Sequence, residues 1–89
     1  MREPTRTDIV DATLRKIEEF SKSAILQRTM ARSFSDYADD VRSIPTKGDV
    51  ADLVAKEIEE WCRQKSQERT KDAKHCESVV EKYKAELTP

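Results

Sequence analysis

Glycine and proline are nearly missing from this chain of 89 residues, which holds one Gly and three Pro. A domain of many short strands needs far more turn residues, so an all-β sandwich or barrel is excluded, as are collagen-like and low-complexity classes. Gly48 alone cannot build a glycine-rich phosphate loop. Aromatic residues make up 6% of the chain, and none lies within the basic stretch 63–75, where a stacking platform for single-stranded nucleic acid would require them. No apolar run approaches the roughly 20 residues that span a bilayer. The opening MREPTRTDIV has no apolar signal core. Net charge is −1, from 17 basic and 18 acidic residues, so no global field draws the chain to nucleic acid or to a membrane.

Groups that carry chemistry are equally scarce. The two cysteines, Cys62 and Cys76, are 14 residues apart on what reads as one helix. At a rise of roughly 1.5 Å per residue they sit about 21 Å apart, against the roughly 7 Å limit for a disulfide. They are expected to be free thiols in a reducing, cytoplasmic compartment. His75 is the single histidine, and adjacent helical positions such as His75 and Cys76 point about 100° apart, which defeats a nucleophile–base pair. The acid pairs Glu18-Glu19, Asp39-Asp40 and Glu59-Glu60 diverge for the same reason and read as solvated faces. Asp72 and His75 have the spacing of a helical carboxylate–histidine pair, but a bundle metal site needs more such ligands from other helices. The expectation is therefore no catalytic residue, no metal and no cofactor.

What is present is charge, at 39% of residues, and a long heptad pattern. Thr5 with Asp8 three residues on is an acidic form of the capping box, and it opens a first helix over about 6–42. Within it Val10, Ile17, Ala24, Ala31 and Ala38 fall on one line seven residues apart. Thr13, Phe20, Gln27, Phe34 and Val41 fall on a second, the mark of a helix packed lengthwise on another. Ser33 followed by Asp36 is itself a cap signal, which leaves two versions of this helix open, continuous or broken near 33–35. A turn follows at 43–48, where Pro45 disfavours helix at Ile44 and Thr46 with Asp49 offers the next cap. A second helix runs over about 47–86, with an apolar stripe of Val50, Leu53, Val54, Ile58, Trp61 and Cys62 that resumes at Cys76, Val79, Val80, Tyr83 and Leu87. The fold class is all-α, one domain over 1–89, an antiparallel hairpin of two long helices.

Folding the hairpin at residue 46 sets residue n beside about 92 − n. Val50–Cys62 then packs on Met30–Arg42, while the polar stretch 63–75 faces the apolar stretch 17–29. An apolar segment against a charged one is inconsistent inside a monomer. A second copy resolves it, so the reading predicts a homodimer of four-helix-bundle type with Ile17, Phe20, Ala24 and Ile25 at its interface. Charge is also segregated along the chain. Residues 33–60 carry three basic and eight acidic groups, a net of −5, whereas 63–75 carry five basic and two acidic groups, a net of +3. The pairing collects Arg28, Arg32, Arg63, Lys65 and Arg69 into one mid-stem patch suited to the phosphates of a duplex.

A charged, dimerising helical hairpin with its turn at Pro45–Gly48 and a basic, polar stretch from Cys62-Arg63-Gln64-Lys65 through Arg69 resembles in plan the nodavirus suppressors of RNA silencing. The resemblance covers residues 49–75, is one of plan, and implies binding of double-stranded RNA along a bundle face. The residues themselves favour a non-enzymatic protein–protein interaction module, a small adaptor, inhibitor or assembly factor. Its expected partners are itself and a further protein, with double-stranded nucleic acid as the alternative and no membrane.

Overall fold

A computed structural model describes Glu3 and residues 5–88. Two helices account for nearly all of them: α1, Arg6–Ser43, and α2, Asp49–Leu87. Thr5 caps α1 as the sequence predicts. Its hydroxyl accepts from the Asp8 N–H at 3.2 Å, and the Asp8 carboxylate accepts from the Thr5 N–H at 3.0 Å. The helix then runs unbroken through 33–35, so of the two versions left open the continuous one stands. Phe34 keeps the heptad line across that point, and burial of that line outweighs the cap signal of Ser33 and Asp36.

The chain leaves α1 at Ile44, whose extended backbone precedes Pro45. The expected cap at Thr46 is corrected: the N-cap of α2 is Gly48, with no side-chain cap, and the Thr46 hydroxyl is hydrogen-bonded to Asp52. Gly48 has φ of +96°, a region that L side chains rarely enter, and its carbonyl accepts from the Asp52 N–H at 3.1 Å. The positive φ lets the chain reverse, and Asp49 and Asp52 in the first turn complement the helix dipole.

The helices pack antiparallel through a seam of small side chains. Ala24, Ala31 and Ala38 of α1 are buried, and Cys62, Ala73, Cys76 and Val80 of α2 close on them. Small residues let two backbones approach closely, which brings seam polar groups into contact. The Ser66 hydroxyl donates to the Ala31 carbonyl at 2.8 Å, and the Cys76 thiol lies 3.6 Å from the Ser23 hydroxyl. Both cysteines are free, on one line of one helix.

This register differs from the 92 − n expectation. Ala31 meets Ser66 where residue 61 was expected, Gln27 meets Arg69 instead of 65, and Ser23 meets Cys76 instead of 69. The connection causes the offset. With Val41 set beside Ala55 and Lys56, the first turn of α2 has loop rather than α1 for a neighbour. The polar stretch 63–75 therefore lies largely against the Ser- and Ala-containing middle of α1, and the inconsistency behind the original pairing is reduced. The molecule measures 70 × 27 × 13 Å, two helices wide and one thick. Its radius of gyration is 20.4 Å, against roughly 12 Å for a compact chain of this length.

Candidate functional site

A hairpin one helix thick has two broad faces, and the heptad fixes which residues line each. Arg28 and Glu77 mark the first. The Arg28 guanidinium donates to Glu77 through Nε at 2.6 Å and Nη2 at 2.9 Å, a bidentate bridge between the helices. Arg63 makes the second link on this side, to Asp39 of α1 at 3.1 Å and to Glu59 one turn back on α2 at 3.1 Å. Hydrogen bonds to Asp39 and then Glu59 hold the Arg63 guanidinium more firmly protonated than usual. Arg32 shares a shallow groove with Arg28, Ser35, Asp36, Ser66 and Thr70 and has no ion-pair partner among the described residues.

Trp61 marks the opposite face, since two positions along a helix turn the side chain by about 200° from Arg63. Its ring meets Phe34 of α1 edge-to-face, with centroids 5.7 Å apart and planes at 82°. Lys65 lies one turn on from Trp61, with Nζ 5.7 Å from the ring centroid and 3.4 Å from Glu68. Around this pair the apolar surface is open. Trp61 is 52% exposed and Val50 76%, and Tyr37, Leu53, Val54 and Ile58 are exposed too, while the exposed Ile44 lines a groove with Arg42, Lys56 and Glu59.

The five basic residues assigned to one patch are thus divided. Arg28, Arg32 and Arg63 lie on the first face, Lys65 on the second. Arg69 lies in the seam between them, half-buried and donating to Gln27 at 3.2 Å. A single five-residue cluster does not form, because the register shift and the near-200° step from Arg63 to Lys65 separate its members.

The residues assigned to self-association also fare differently from one another. Ala24 is consumed by the hairpin's own seam. Phe20 stacks on Tyr83 with centroids 6.2 Å apart, and Ile17 is half-buried. Ile25 is 68% exposed, next to the exposed Leu26. Sequence reasoning missed the larger surface: Val50, Leu53, Val54 and Ile58 were expected in the core against Met30–Arg42, and they are outside it. The signal that would have found this is a line of mostly small residues, interrupted by Arg69. Cys62, Ser66, Arg69, Ala73, Cys76 and Val80 fall on alternating steps of four and three, the spacing of a seam.

Among the described residues no group of three or more His, Cys, Asp or Glu could hold a metal ion, and no helix is long and apolar enough to cross a membrane. No protein-family model, curated protein or solved structure matches the chain.

Proposed function

We propose that this chain is a non-enzymatic helical interaction module that works as a homodimer, in the manner of a small adaptor, inhibitor or assembly factor. One observation carries the reading. The side chains that would make a strong core are outside, while the seam that holds the hairpin together is built of Ala, Cys, Ser and Val. Exposing Trp61, Ile58, Leu53 and Tyr37 on one molecule is costly in water, and covering them is the main source of free energy the chain has left to release. Sedimentation over a dilution series from about 1 to 100 μM tests it, because a dimer dissociates by mass action and a monomer shows no concentration dependence.

A second reading, binding of duplex nucleic acid, draws on Arg28 and Arg32 in one groove with Ser35 and Asp36, and on Arg63 along the same face. It has less support, because Glu77, Asp39 and Glu59 already neutralise two of the three arginines. A gel shift with double-stranded RNA and DNA over a salt series decides it. Binding that weakens steeply with salt favours this reading, and no shift at low salt removes it.

A further inference from the structure

We infer that a second copy of this chain lies along the whole Trp61 face, antiparallel, on a two-fold axis that lies in that face and crosses α2 between Glu68 and Arg69. The turn half of each hairpin then covers the open half of the other. The inference rests on the homodimer reading and names its surface, direction and register.

The surface is marked by the aromatic residues. Both Phe, both Tyr and the single Trp of the chain stand on it: Phe34 against Trp61, Phe20 against Tyr83, and Tyr37 one turn on from Phe34. Along α2, steps of four and three from Trp61 through Lys65, Glu68, Asp72 and Cys76 to Val79 and Tyr83 keep to the same side. Val54 and Ile58 extend that line toward the turn. Tyr37, Val50, Val54, Ile58 and Trp61 are exposed by between 45% and 76%. At roughly 150–200 Å² for a large side chain they present on the order of 500 Å². The half-buried Phe20, Phe34, Val79 and Tyr83 bring the face toward the roughly 800 Å² that each partner contributes to a standard interface.

The occupant and its direction are chosen by the complementarity of this face to itself. A two-fold axis across the stems lays α1 on α1 and α2 on α2, and exchanges positions equally far on either side of it. Val54 then meets Tyr83 of the other copy, Ile58 meets Val79 and Trp61 meets Cys76, apolar on apolar at each step. Lys65 meets Asp72 and Asp72 meets Lys65, so opposite charges face each other twice. Glu68, nearest the axis, is already paired with Lys65 of its own chain at 3.4 Å. Ala31 beside Ser66 and Gln27 beside Arg69 put the same axis near residue 28 of α1, which carries the exposed Tyr37 onto Phe20 of the other copy. An axis along the stems runs the copies parallel and lays α1 on α2. It leaves Lys65 over Met30 and Phe34 and sets Glu57 level with Asp40, acid against acid. Glu57, Glu68 and Asp72 also repel a nucleic acid or an anionic lipid surface from this face.

The test uses the full chain in three arms, with circular dichroism confirming the fold of each variant. Sedimentation first follows a charge exchange. Lys65→Asp and Asp72→Lys, made singly, each set like charges face to face at two symmetry-related places and are expected to weaken self-association about tenfold. Made together they restore it to within about threefold. About 10 Å of helix separates the two positions within one chain, so the recovery reports contact between copies. The second arm is Ile58→Glu, at a position 45% exposed where the hairpin itself tolerates a carboxylate. It is expected to weaken self-association about 100-fold or more, as loss of a buried anchor does. The third arm is a spin label at Ala51→Cys, an exposed site, in a Cys62→Ala, Cys76→Ala background that suits a seam already built of alanine. About 26 Å of helix separates residue 51 from the axis, so the antiparallel dimer sets the two labels about 50 Å apart. In a parallel dimer they lie about 20–30 Å apart, two helix diameters. Recovery in the exchanged variant, a monomeric Ile58→Glu variant and a separation near 50 Å support the inference. Failure of the exchange to recover overturns the register, a short separation overturns the direction, and an Ile58→Glu dimer as tight as wild type overturns the surface; in each case the homodimer reading stands. A wild-type chain that stays monomeric at about 100 μM overturns both.

Discussion

Alanine is the residue that decides how this hairpin closes. Ala38 and Ala73 are fully buried and Ala24 and Ala31 nearly so, and each methyl removed from water contributes on the order of 0.8 kcal/mol. Their larger effect is geometric, because they set the approach that lets Ser66 reach the Ala31 carbonyl. Replacing Ala31 with Leu is expected to force the helices apart and to destabilise the fold by about 1–3 kcal/mol in urea titration. Replacing the much larger but exposed Ile25 with Ala should change monomer stability by no more than about 0.5 kcal/mol. A residue-scale titration is also fixed by the structure. Glu18 accepts a hydrogen bond from Lys22, and the nearby ammonium adds to the effect, so its carboxyl titrates below the ordinary 4.5. The favourable pairing is present above the unfolded pKa and is lost as pH falls through the lowered folded value. NMR titration of the Glu18 side chain should show the lowered midpoint, and Lys22→Ala should return it to the ordinary value.

At the scale of elements, the connection governs register. Gly48 has nothing within 4 Å of an added Cβ, so Gly48→Ala meets no clash and reports the backbone alone. Its φ of +96° predicts a loss of about 1–2 kcal/mol, measurable by thermal or urea unfolding. The hairpin itself was legible in the sequence: the capping box at Thr5 and Asp8, the stop before Pro45, and the heptad line through Ala24, Ala31 and Ala38 all reappear in α1. The C-terminal half of α2 was legible as well, since Cys76, Val80, Tyr83 and Leu87 belong both to the apolar stripe and to the seam. Register and the buried face of residues 50–65 were not. Hydrophobic periodicity ranks Val, Ile, Leu and Trp above Ala, Ser and Cys, whereas close helix packing ranks them the other way. Arg69 shows the mixture well. It was assigned to the mid-stem patch and instead lies in the seam, as a hydrogen-bond donor to Gln27 rather than as part of an open cluster with Lys65.

For the whole molecule, length is the property most open to measurement. X-ray scattering from the Ile58→Glu variant should return a radius of gyration near 20 Å and a largest dimension near 70 Å, as the single hairpin has. A value near the roughly 12 Å of a compact chain would contradict the extended two-helix arrangement. The 13 Å thickness has a further, mechanical meaning. The hairpin is a ribbon, and the resistance of a ribbon to bending out of its plane rises steeply with its thickness. Its softest motion is therefore a slow flexing and twisting across the broad faces, which strains few seam contacts at any one point. A layer laid over the Trp61 face doubles the thickness and damps that motion far from the place where it touches.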